Sequence, residues 1–163
     1  MNKRKLTQIL FIYYLIILTW VIVFKMSFPL LDIYRIRQIN LMPFVDPAQP
    51  NGPTNYFDIV ANILAFIPFG LFMHIFWRME PLWKQWLPML EVSLLFECLQ
   101  WTLAVGRSDI TDVITNAFGG LLGILLAWAL RTLFPKHWIT LINGLCVVGA
   151  IGMTFVVIIV AFF

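Results

Sequence analysis

The sequence predicts an all-α, polytopic transmembrane bundle of about five spans, with its N-terminus inside and its C-terminus outside. Three observations carry this. Of 163 residues, 61% are hydrophobic and only 12% are charged, against about 25% charged in soluble domains. The mean hydropathy is +0.90. Five windows are each long enough to cross a hydrocarbon core of about 30 Å, which takes about 20 apolar residues. So little charge cannot cover the surface of a soluble domain, and so apolar a chain is not disordered. The net charge of +3 is scattered without a basic stripe, so nucleic acid is not an expected partner.

The windows run over residues 6–24, 59–77, 86–105, 113–133 and 139–163. They are apolar throughout rather than alternating, which favours helices over the strands of a membrane barrel. The basic start, Lys3-Arg4-Lys5, suggests a signal peptide, but the apolar run is long and Phe24-Lys25-Met26 offers no small-residue cleavage site. An uncleaved first span is expected. With that end inside, Lys3, Arg4, Lys5, Arg78, Lys84, Arg131 and Lys136 fall inside, and Lys25, Arg35, Arg37 and Arg107 outside. The excess of cations inside sets the orientation.

Residues 25–58 form the long outer loop. Leu30 to Tyr34 suit a short interfacial helix, whereas Pro43, Pro47, Pro50, Asn51-Gly52 and Pro53 make the second half turn-rich. Loops of this length are more often functional than simple connectors. Gly106-Arg107-Ser108 reads as a short outer turn between spans three and four. Cys98 and Cys146 lie within spans and act as small apolar side chains. His74 and His137 have no second His or Cys at ligand spacing, so no metal centre is expected from them.

An ionisable group within a span costs about 2.5–3.5 kcal/mol and usually faces the bundle interior. Glu97 falls eight residues from the outer end of span three, about 12 Å down. Gln100 lies on the same side of that helix. Asp109, Asp112, Asn116 and Gly119 recur along one face at the start of span four, and Asp58 and Asn62 sit one turn apart at the start of span two. Glu91, nearer the inner end, is expected to reach the interface. Polar residues of three spans thus gather in the outer half, as a shared cavity would require, although polar groups between helices also serve packing alone. Gly119 and Gly123 suit close helix contact, and Pro68 with Gly70 suits a kink.

Arg107 with Asp109 and Asp112 fits either an ion-pair cluster or a headgroup site, because guanidinium grips phosphate bidentately. No cofactor is expected. A divalent cation on the oxygens of Glu97, Asp109 and Asp112 is the alternative. Burial would suit Glu97 to general acid–base work. No arrangement for nucleophilic catalysis is present.

Taken in order, Asn40-x-x-Pro43-Phe44, Asn62-Ile63-Leu64-x-Phe66-Ile67-Pro68-Phe69-Gly70, Glu97-x-x-Gln100, Arg107, Asp109-Ile110-x-Asp112-Val113-Ile114-x-Asn116 and Gly119-Gly120 resemble the VanZ-like family of bacterial membrane proteins. The resemblance covers about Asn40 to Leu126. It implies a multi-pass protein of the bacterial plasma membrane that contributes to resistance against teicoplanin-type lipoglycopeptides. It supplies no mechanism. The expected function is to bind or modify an outer-leaflet lipid, a polyprenyl-linked wall precursor or the drug itself. Arg107 would hold an anionic group, with Asn40, Asn62, Gln100 and Asn116 as further ligand-binding candidates. Glu97 would carry a proton. A second reading is a transferase or hydrolase acting on a lipid-linked phosphate or sugar, with Glu97, Asp109 and Asp112 catalytic. A third is a non-catalytic partner of an envelope protein.

Overall fold

The computed structural model describes residues 3–23, 36–45 and 56–162. Among these are five helices and two short strands: α1 (Lys3–Val23), β1 (Ile36–Asn40), α2 (Tyr56–Trp77), α3 (Leu82–Leu103), β2 (Val105–Asp109), α4 (Ile110–Leu133) and α5 (Trp138–Phe162). The interfacial helix expected at Leu30 to Tyr34 lies outside the described residues.

Four of these helices, α1, α2, α4 and α5, are long and apolar enough to cross a membrane. Composition leaves α3 out, because it carries Lys84, Gln85, Glu91, Glu97 and Gln100. Topology brings it back. Asn62 pairs with Asp112, Ile63 meets Gly119 and Ile67 meets Gly123. Rising numbers meet rising numbers, so α2 and α4 run parallel, and α3 has to return the chain between them. Its 22 residues span about 33 Å at 1.5 Å per residue.

The α2–α4 seam is a backbone contact. A Cβ at Gly119 would collide with the Ile63 carbonyl, one at Gly123 with the Ile67 carbonyl, and one at Gly70 with the Gly120 carbonyl. Lipid tails are as apolar as side chains, so helices in a bilayer gain from close packing of small residues rather than from leaving water. Around this seam Phe66, Phe69, Phe72, Met89, Phe96 and Ile124 form the core. Phe11 of α1 lays its ring against Phe69, Phe72 and Phe76. Trp86 ties α3 to α4 by donating its indole N–H to the Ala117 carbonyl (2.8 Å). At the end away from the strands, Trp138 of α5 packs edge-on against His74, whose Nδ1 meets Gln85 Oε1 at 2.9 Å.

The tripeptide expected as a turn is instead the middle of β2, and Asn40 ends β1 rather than sitting in an irregular loop. The two strands pair in parallel, Ile36 with Val105 through Asn40 with Asp109. At Ala104 the chain reverses in the left-handed conformation (φ 56°), and its N–H bonds the Gln100 and Trp101 carbonyls. β2 then runs back along α3. Irregular backbone is tolerated at membrane depth where protein covers it, and here both strands lie against α3.

Candidate functional site

Asp109 is where β2 becomes α4. Its side chain caps the helix, Oδ1 accepting from the Thr111 N–H at 2.9 Å. Oδ2 accepts from Asn40 Nδ2 at 3.0 Å and lies 3.4 Å from the Arg107 guanidinium. A capping carboxylate satisfies one of the orphan N–H groups of the first turn and meets the positive end of the helix dipole. Asn40 sits opposite Asp109 across the ladder, so strand register alone sets that bond. Asn40 also closes the turn after β1, donating to the Val45 carbonyl and accepting from the Met42 N–H. The Phe44 N–H donates to Thr111 Oγ1 at 2.9 Å.

Glu97 is buried and holds this junction from the side. Its Oε2 accepts from the Asp109 N–H at 2.7 Å, and its carbonyl accepts from Ser108 Oγ at 2.7 Å. α3 ends at Leu103, six residues on, so Glu97 lies about 9 Å from the helix end. The expected depth of about 12 Å assumed a helix reaching Val105. β2 folds back and brings Asp109 down to Glu97.

The remaining candidates occupy separate contacts. Asn62 Nδ2 donates to Asp112 Oδ1 at 2.8 Å between α2 and α4. Asn116 is fully buried and donates to Ser93 Oγ at 2.9 Å. Gln100 lies three residues beyond Glu97, but its Nε2 donates to the Ile22 carbonyl at the end of α1 (2.8 Å). Asn40, Glu97, Arg107 and Asp109 therefore form one cluster, with Asn62–Asp112, Asn116–Ser93 and Gln100–Ile22 as three further ties. Sequence reasoning missed Ser93, Ser108 and Thr111. Ser93 is one turn from Glu97 on α3, and that spacing was the available signal. Ser108 and Thr111 became visible only once β2 was in place.

Beside the cluster runs a groove of about 450 Å³, lined by Ile39, Leu41, Leu94, Trp101, Ile110 and Val113 around Asn40, Glu97 and Asp109. The surface it presents is apolar, and the polar groups of Asn40, Glu97 and Asp109 are buried beneath it. Arg107 is not part of the lining; it pairs with Asp109, which is, and its side chain is 30% exposed. Among the described residues no three His, Cys, Asp or Glu side chains gather at metal-binding distance, and the Asp112 carboxylate turns to Asn62. The groove suits an apolar chain.

These features define a multi-helix membrane protein with a folded-back, polar end and an apolar groove at that end. The VanZ/LLP1 family model matches residues 11–133, and the chain belongs to that family. Protein VanZ of Enterococcus faecium is 36% identical to it over 115 residues, 69% of this chain and 68% of that protein. No solved structure matches the chain. Every candidate residue lies within the matched span, and α5 lies beyond it.

Proposed function

We propose that the chain binds an anionic, long-chain envelope lipid or polyprenyl-linked wall precursor at the strand end, and thereby contributes to teicoplanin-type resistance. The observation that carries this reading is the apolar groove that β1, β2, α3 and α4 build together, with the part-exposed Arg107 paired to Asp109 of its lining. Its volume falls within the range of about 300–1,000 Å³ typical of ligand pockets. The excess of cations on the opposite side supports an outward-facing groove, where such drugs act. Binding is favoured over turnover because Glu97 and Asp109 already accept structural N–H donors, and neither is poised as an isolated acid or base.

The test uses the purified chain in lipid nanodiscs with undecaprenyl phosphate as probe. Saturable binding should weaken roughly tenfold in Arg107→Gln, the scale of one lost charge-assisted bond. Teicoplanin susceptibility should rise in the same variant at unchanged protein level. Absence of binding by the wild type, or equal binding by the variant, would remove the site. Release of a product from a lipid-linked precursor would replace binding with the enzymatic reading.

A further inference from the structure

A second cavity, of about 470 Å³, lies between α1, α2 and α5 and shares no lining residue with the groove at the strand end. Its walls come from residues 10–21 of α1, 61–72 of α2 and 145–153 of α5. The three helices touch one another at its margins. Tyr14 of α1 donates its hydroxyl to the Ala65 carbonyl of α2 at 2.8 Å. Tyr13 of α1 reaches the Ala150 carbonyl of α5 at 3.2 Å. Leu71 of α2 packs with Ile142 of α5, and His74 with Trp138. Leu64 of α2 and Leu145 of α5 also line the cavity and are exposed, so its mouth lies between these two helices. One wall is α5, which lies beyond the residues matched by the family model, so the cavity does not follow from family membership.

The surroundings of this cavity decide what fills it. All three helices are long and apolar enough to cross a membrane. Along α2 the cavity starts at Ala61, about 8 Å from the start of the helix, and ends at Phe72, about 24 Å along it. That range falls inside a hydrocarbon core of about 30 Å. Water needs two to four polar partners to occupy a cavity. The hydroxyls in this lining, on Tyr13 and Tyr14, are already bonded to Thr154, Ala150 and Ala65. A further helix, about 10–12 Å across with its side chains, does not fit between three helices that touch. An unfilled space of this size would forfeit dispersion contacts along all three walls.

We propose that this slot between α1, α2 and α5 holds one hydrocarbon chain of a bilayer phospholipid. The slot runs along the helices for about 17 Å, from eleven residue steps on α1 and on α2. One leaflet contributes about 15 Å of hydrocarbon depth, so an acyl chain lying along the membrane normal matches its length. Such a chain enters sideways from the bilayer past Leu64 and Leu145 and needs no polar contact. It fills the space where α5 stands clear of α2: a Cβ added at Gly149, in the lining, would meet nothing within 4 Å. The bound chain thus becomes part of the packing that holds α5 to the bundle. The slot and the strand-end groove share no residue, so either can fail without the other.

The test titrates the purified chain in detergent with a phosphatidylcholine that carries a diazirine midway along one acyl chain. After illumination, labelled positions are mapped by mass spectrometry. Labelling at Tyr14 and Cys146, inside the slot, should saturate. Labelling at Ile16 and Ile151, exposed on the same two helices, should rise in proportion to the probe. Gly149→Leu fills the slot from α5 and should abolish the saturable part while leaving the proportional part. Ala61→Leu narrows it from α2 and should do the same. The wild-type titration stands alone if neither variant accumulates. Proportional labelling at Tyr14 and Cys146 would overturn the proposal, as would saturable labelling that survives in both folded variants. So would a water-filled slot, seen as modification of Cys146 by a charged, water-soluble maleimide in membrane vesicles of the Cys98→Ser chain.

Discussion

Replacing Glu97 with leucine should loosen the start of α4, whereas glutamine should not. The bond at stake runs from the buried Asp109 N–H to Glu97 Oε2 at 2.7 Å. A hydrogen bond to a charged group is worth about 1.5–3 kcal/mol, and an orphaned buried N–H costs about 1–3 kcal/mol. Leucine removes the acceptor and strands the N–H, so a loss of about 2–3 kcal/mol is expected. Glutamine keeps a carbonyl oxygen at the same reach and trades a charged acceptor for a neutral one, a loss of about 1 kcal/mol. For a chain of this size 1 kcal/mol is worth about 2–4 °C in Tm. Leucine should therefore lower the unfolding midpoint in detergent by about 4–12 °C, and glutamine by less than about 4 °C. Tryptophan fluorescence or retention of the monodisperse peak on size exclusion reads this directly. An unchanged midpoint in the leucine variant would mean that Glu97 does not anchor the junction. Equal large losses in both variants would mean that its charge, rather than its acceptor, is what the fold uses.

Other expectations follow from neighbouring contacts. Gly123→Ala places a Cβ against the Ile67 carbonyl; it should force α2 from α4 and destabilise by more than about 1 kcal/mol, the lower end for overpacking, with reduced membrane levels as the readout. Ala104→Gly relieves a left-handed residue that costs about 1–2 kcal/mol, so its midpoint should rise by a few degrees. Ser93→Ala and Asn116→Ala should be non-additive, with a coupling of about 0.6 kcal/mol and no more than about 1.7. Additive losses in that cycle would show that the two side chains do not act as a pair.

The helices were legible because their apolar windows are long and unbroken, and family membership was legible because Asn62, Glu97, Asp109 and Asn116 recur in order. The strands were not. Each is five residues long, and their pairing joins positions 69 apart, which no local period announces. Missing the strands displaced two readings. Glu97 was placed by counting along a helix when its partner arrives from a strand that turns back. Gln100 was placed with Glu97 by helical spacing, but α3 touches α1 as well as α4, and three residues of rotation carry Gln100 to the other neighbour.

The parallel pairing of β1 with β2 also imposes an order of manufacture. β1 leaves the ribosome 69 residues ahead of its partner. At about 5–20 residues per second of synthesis, that is roughly 3–14 s. During those seconds Asn40 lacks Asp109, and for most of them Asn62 lacks Asp112, 50 residues downstream. A nascent chain halted after α2 therefore exposes amide groups to the bilayer or the translocon that the finished protein hides, and only the arrival of residues 105–112 closes them.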